Sequence, residues 1–217
     1  MAVMLPSLPL ILFNPSSTIG QNLQAPMALT ATGSASIDLT IASSDPSSVL
    51  VSMDPKAAGQ GSTTVRLPPY TQKNVYLQAL AASGSATITL SASGYTPTKI
   101  LVNLYPSSFV FDRTVASTVK TQPLSFNVVP IAMVPNSGIT FDGLSLRGGA
   151  TPVNVALANS QPAVGILKPT TVTLNPGDSQ ASVTFTPTAA GNTVLTITQP
   201  SGFVNASPPA QFVVVVN

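Results

Sequence analysis

Two stretches 116 residues apart carry one pattern: "IDLTIASSDP" at 37–46 and "VNVALANSQP" at 153–162. Each alternates apolar and polar residues and stops at a polar residue followed by proline. Alternation puts every second side chain on one face, the geometry of a half-buried β-strand, and proline with its fixed φ closes the strand in a turn. The match continues at an offset of 107, where "TTVRLPP" overlays "TTVTLNP" and "AASG" overlays "TAAG". The nine-residue change in offset is a longer loop in the first copy, around "SMDPKAAGQGS". "SGY" at 93–95 and "SGF" at 201–203 then precede the last strand of each copy. A chain that repeats its strand pattern this way folds as one β design made twice.

The repeat also decides how Asp45 is read. In "IASSDPSSVL" an aspartate among serines invites a reading as a carboxylate serving a hydroxyl. The second copy has Gln161 at that place and keeps the proline, so what the copies share is a turn, and Asp45 is expected to be a turn residue.

The remaining runs are short, alternating or β-branched, and no 3.6-residue period is sustained anywhere. Strands are expected at 36–43, 63–67, 74–80, 86–92 and 99–104, and again at 123–129, 153–158, 170–174, 182–186, 193–198 and 211–216. Six or seven strands per copy, with turn signals about every 8–12 residues, is the pattern of a β-sandwich. The expected fold class is all-β, two tandem sandwiches, with domains at 1–107 and 108–217 divided near "YPSSF". The opening "MAVMLPSLPLILFNPSS" has no Lys or Arg, is interrupted by Pro6 and Pro9, and lacks a small-x-small cleavage site. It is read as an N-terminal apolar strand joining the first domain or following an earlier repeat, not as a signal peptide. No apolar run approaches the roughly 20 residues that cross a bilayer as a helix, so no membrane insertion is expected.

Composition narrows function by what it removes. Charged residues make up 6% of the chain, against about 25% in ordinary domains. All six acids are aspartates, and glutamate, histidine, cysteine and tryptophan are absent. A net charge of +2 over 217 residues offers no basic patch, so nucleic acid is not an expected partner. Without His or Cys, Ser-His-Asp and Cys-His catalysis and imidazole or thiolate metal sites are closed, and paired-carboxylate chemistry is left with scattered aspartates. No catalytic, cofactor-binding or metal-ligating residues are assigned, no cofactor is expected, and the chain is read as a non-enzyme.

Several groups that invite a chemical reading carry a plainer one. Asp38, Asp45 and Asp54 share the first copy but form no calcium loop. Asp112 and Arg113 are adjacent, and on a strand they point to opposite faces. "SLRGGA" at 145–150 holds the only Gly-Gly pair, lacks the lysine and helix of a phosphate loop, and reads as a turn into the next strand, with Arg147 packing across the domain end. Lys73 and Lys99 are the candidate donors for an internal Lys-Asn cross-link. Tyr70, Tyr76 and Tyr105 are the residues from which a sugar-stacking platform would be built.

The stretches "LTIASSDPSSVLVS", "TTVRLPP" and "VYLQALAASGSATITLSASGY", with "LRGGATPVNVALANSQPAVGIL" and "VTLNPGDSQASVTFTPTAAGNTVLTITQPSGF", resemble bacterial immunoglobulin-like repeats of large exported proteins. The resemblance covers residues 18–104 and 109–216. It implies seven-stranded immunoglobulin-like sandwiches serving as a spacer, stalk or adhesive module at the cell surface or outside the cell, and it carries over no catalytic residue. The Cys and Trp pins of antibody domains are missing, which leaves the core to Val, Ile, Leu and Phe. Poverty of charge leaves strand edges poorly guarded except by prolines such as Pro68, Pro69, Pro208 and Pro209. Self-assembly through residues 3–13 and 211–216 is therefore expected, with neighbouring copies or adjacent repeats as partners. A carbohydrate-binding sandwich, with a glycan or surface receptor as partner, is the alternative.

Overall fold

The computed structural model describes residues 5–13, 17–207 and 209–217. Among these it is all-β and contains no helix. The chain forms two compact units, one of residues 1–105 with 147–150 and the other of residues 106–146 with 151–217.

The first unit holds β1 (Leu10–Phe13), β2 (Thr18–Gly20), β3 (Leu23–Ala31), β4 (Ile37–Ser43), β5 (Val49–Ser52), β6 (Ser62–Leu67), β7 (Gln72–Ala79), β8 (Ser85–Ser91) and β9 (Thr98–Tyr105). One sheet runs β1-β3-β7-β5 and the other β2-β9-β8-β4-β6. The second unit holds β10 (Ser107–Phe111), β11 (Val115–Thr118), β12 (Leu124–Met133), β13 (Thr140–Phe141), β14 (Ser145–Leu146), β15 (Val153–Asn159), β16 (Gly165–Lys168), β17 (Thr171–Leu174), β18 (Ala181–Pro187), β19 (Gly191–Thr198) and β20 (Gln211–Val216). Its sheets run β10-β12-β18-β16, with β13 beside β12, and β11-β20-β19-β15-β17.

The two orders are the same. β1 and β10 are antiparallel edge strands beside β3 and β12, and β2 and β11 run parallel to the last strands β9 and β20. The repeated stretch at 37 is β4 and its counterpart at 153 is β15, each paired to two neighbours. The nine common strands exceed the seven that the resemblance implied. Each unit's opening segment is divided between two sheets, and the four-residue β5 and β16 are too short to show a period.

Burial follows the pleat. Leu39 and Ile41 of β4, Ile88 and Leu90 of β8 and Val75, Leu77 and Ala79 of β7 are buried at alternate positions. The first unit's core is aliphatic, with Leu23, Met27, Leu29, Leu39, Ile41 and Leu67 among its largest buried side chains. The second unit is built on phenylalanine. Phe126 and Phe212 meet edge to face at 4.7 Å between ring centres, and Phe111 lies 5.6 Å from Phe126 and 5.8 Å from Phe212. Such tilted contacts set the positive ring edge against a negative face.

Two expectations about edges are corrected. Residues 211–216 are not an edge: β20 pairs with β19 on one side and β11 on the other, so its backbone groups are used within the unit. The N-terminal segment is not a free donor either, because Leu10–Phe13 already adds to β3, with Leu10 opposite Ala31. Residues 3 and 4 lie outside the described residues. Pro68 and Pro69 follow β6, an edge strand, whereas Pro209 precedes the interior β20 and Pro208 lies outside the described residues.

Candidate functional site

The residues singled out in the sequence are dispersed. Tyr70 is exposed in the turn between β6 and β7, Tyr76 is half-buried on β7, and Tyr105 ends β9 in the other sheet, so no sugar platform assembles from them. Asp38 faces Arg66 across β4 and β6, 3.4 Å apart, with both side chains more than 60% exposed (63% and 68%). A pair that open to water contributes little. Asp54 accepts the Lys56 amide at 2.9 Å, and no group of three potential metal-holding side chains exists among the described residues. Lys73 and Lys99 are exposed, which removes them as donors of a cross-link inside the core.

Asp45 is a turn residue. Its carboxylate accepts the Ser47 amide and hydroxyl, while its carbonyl accepts Ser48 N at 3.1 Å and Val49 N at 2.9 Å. The hydrogen bonds from Ser47 and Ser48 hold its pKa below the ordinary aspartate value. In the second copy the turn is kept, with Asn159 as acceptor where the first copy has Ser43, which accepts the Asp45 amide at 3.2 Å. Asn159 accepts the Gln161 amide at 3.1 Å and the Thr193 hydroxyl, and donates to the Gly165 carbonyl at 2.7 Å.

Asp112 and Arg113 come together where opposite faces were expected. β10 ends at Phe111, so the alternation of a strand no longer governs them, and Arg113 Nε donates to Asp112 Oδ1 at 3.2 Å. Asn127 Nδ2 donates to Asp112 Oδ2 at 2.9 Å. This pair rims a cavity of about 380 Å³ in the second unit, with Asp142 also on the wall. Its floor includes Val110, Val129, Ile131, Ala206 and Ala210, packed together with Met133. Ligand sites share a lining of apolar residues with a few polar groups. Its titratable members are two carboxylates and a guanidinium, and the lining holds no Lys or Tyr to activate a hydroxyl.

A buried polar network was missed by sequence reading. Gln24 and Gln78 lie directly opposite each other on β3 and β7, both fully buried, on the face away from Leu23, Ala25, Leu77 and Ala79. Gln78 Nε2 donates to Gln24 Oε1 at 3.1 Å and to the Ala57 carbonyl at 2.9 Å. Gln24 Nε2 donates to the Pro55 carbonyl at 2.9 Å, and Gln78 Oε1 accepts the Gly59 amide at 2.8 Å. The amide of Gly148 closes the network by donating to Gln24 Oε1 at 2.9 Å. The 145–150 stretch is thus more than a turn into the next strand: Arg147–Ala150 is part of the first unit. Arg147 is half-buried, burial lowers its pKa, and its Nε has no hydrogen-bond partner. Two sequence signals touched this site without joining it: the longer loop of the first copy, which supplies Pro55, Ala57 and Gly59, and the Gly148–Gly149 pair.

No family model matches the sequence, and no curated protein matches it. Solved structures to which the chain is similar include domains 5–6 of the S-layer protein SbsC, at 12% identity over 96% of this chain and 97% of that one, with a TM-score of 0.35. The calcium binding domain CBD12 of CALX1.1 is similar at 10% identity over 83% of this chain and 76% of that one, TM-score 0.33. A chain in the crystal structure of Dpr2 Ig1-Ig2 in complex with DIP-Theta Ig1-Ig3 is similar at 9% identity over 96% of this chain and 64% of that one, TM-score 0.29.

Proposed function

We propose that the chain is a non-catalytic structural or adhesive module of an exported bacterial fibre, stalk or surface protein, built as two tandem immunoglobulin-like β-sandwiches. The observation that carries this reading is the nine-strand order formed twice. A fold repeated with different cores and different turn chemistry is selected for its shape, which is what a spacer or building block supplies. Edge strands support association with neighbouring copies or adjacent repeats, since β11 ("VAST") carries no charge to repel a partner strand and exposes Val115, and β16 ("GILK") carries a single charge, Lys168, and exposes Ile166.

A second reading, a carbohydrate-binding module, draws on the cavity beside Asp112, Arg113 and Asp142. A glycan panel titrated into isotope-labelled chain separates the two. The structural reading expects no saturable shift at Val110, Ile131 or Asp142. Saturable shifts confined to these residues would replace it with the second reading.

A further inference from the structure

The glutamine network uses residues from three separated parts of the sequence, and the last is the most constrained. Arg147 N donates to the Asn22 carbonyl at 3.0 Å, Gly148 N to Gln24 Oε1 at 2.9 Å and Gly149 N to the Lys56 carbonyl at 3.0 Å. Three consecutive amides thus bond to β3, the residue just before it, and the loop after β5. A Cβ on Gly148 would stand 2.2 Å from the Ala57 carbonyl oxygen and 2.7 Å from Gln78 Nε2. Gly149 has φ +70° and no room beside Ala58. The adjacent glycines are therefore fixed by close approach and by backbone conformation, not by a need for flexibility.

Of the groups this segment bonds to, the Gln24 side chain is fully buried, Asn22 is half-buried and Lys56 is exposed, so the central bond from Gly148 is the one that cannot be replaced by solvent. Leaving a buried donor or acceptor unmade costs the full desolvation of that group. Sequence logic points the same way: the second copy has a two-residue link between β16 and β17 where the first has the loop 53–61 between β5 and β6. That loop turns back on its own sheet through reciprocal Val51 and Gln60 backbone bonds of 2.8 and 2.9 Å, and so presents the Lys56 and Ala57 carbonyls.

We infer that Arg147–Ala150 is a strap that completes the first unit, so that this unit reaches its native stability only when residues far beyond its last strand have docked on the loop after β5. Until the chain has been made past Ala150, the first unit lacks the part of its stability that the strap supplies.

The aromatic residues supply a selective probe. All four tyrosines, at 70, 76, 95 and 105, lie in the first unit, and the chain has no tryptophan. Tyrosine fluorescence during urea unfolding of the full chain reports that unit alone, while far-UV circular dichroism reports both. Gly148→Ala is expected to lower the tyrosine-reported midpoint by about 1 M urea and to leave the remaining dichroism transition in place. An unchanged tyrosine midpoint, or an equal fall in both transitions, overturns the strap. A second measurement needs no variant: in the native chain the Gly148 and Gly149 amides are expected to exchange with solvent as slowly as those of β3. Exchange at the rate of an open loop overturns the inference even if Gly148→Ala does not fold.

Discussion

At the scale of single residues, Asp45 shows how a turn can be fixed in the sequence without fixing its chemistry. Pro46 and Pro162 mark the same turn in both copies, and the backbone N–H before each proline is bonded alike, Asp45 N to Ser43 Oγ at 3.2 Å and Gln161 N to Asn159 Oδ1 at 3.1 Å, but the titratable carboxylate of Asp45, which accepts from Ser47, is replaced by the neutral side chain of Gln161. The pH dependence differs accordingly. Asp45 has a lowered pKa, so its contribution to stability is fully present above the unfolded-state value and is lost as pH falls through the folded-state value. A carboxyl titration followed by NMR is expected to give Asp45 a midpoint below that of an ordinary aspartate, and a midpoint at or above it would contradict the turn geometry. The buried glutamines were not legible in the same way. Gln24 and Gln78 sit at polar positions of alternating strands, where solvent is the default expectation, and only the loop and strap that cover them make them interior.

At the scale of strands, periodicity located β4, β6, β8, β15, β18 and β20 to within a residue or two, because each has one face in the core. It did not find β3. "LQAPMALTA" contains Pro26, which argues against an interior strand. The structure accommodates it because β1 pairs only with residues 28–31, so Pro26 has no β1 partner across from it. Pro130 in β12 is placed likewise, beyond the residues 124–128 that pair with β18. Opposite Pro130, Phe109 turns its backbone outward to a side chain: its N–H donates to Gln199 Oε1 at 2.8 Å, and Gln199 Nε2 donates to its carbonyl at 2.7 Å. One glutamine thereby satisfies both polar groups of a fully buried residue on an edge strand. Gln199→Ala is expected to destabilise the second unit by about 1–3 kcal/mol, measured by chemical denaturation. Gln199→Glu sets a charged carboxylate oxygen against the Phe109 carbonyl and is expected to cost more than the alanine change, whereas an alanine variant as stable as the parent would show that water replaces the side chain at no cost.

At the scale of the whole molecule, what the sequence repeat specifies is topology. The same strand order arises from an aliphatic core in one unit and a phenylalanine core in the other, with turns of unlike chemistry. What it does not specify is which edges remain open, since that depends on pairings distant in sequence. β20 looked free and is enclosed, while β11 and β16 are edges that expose Val115 (63%) and Ile166 (48%). These two strands are where association between copies is expected, and Val115→Lys with Ile166→Lys places a charge on each. Light scattering coupled to size exclusion, run on the native chain across a wide concentration range, measures this directly. The expected result is mass that rises with concentration and returns to that of one chain in the double lysine variant. A native chain that stays monomeric at high concentration would contradict assembly as the basis of its function.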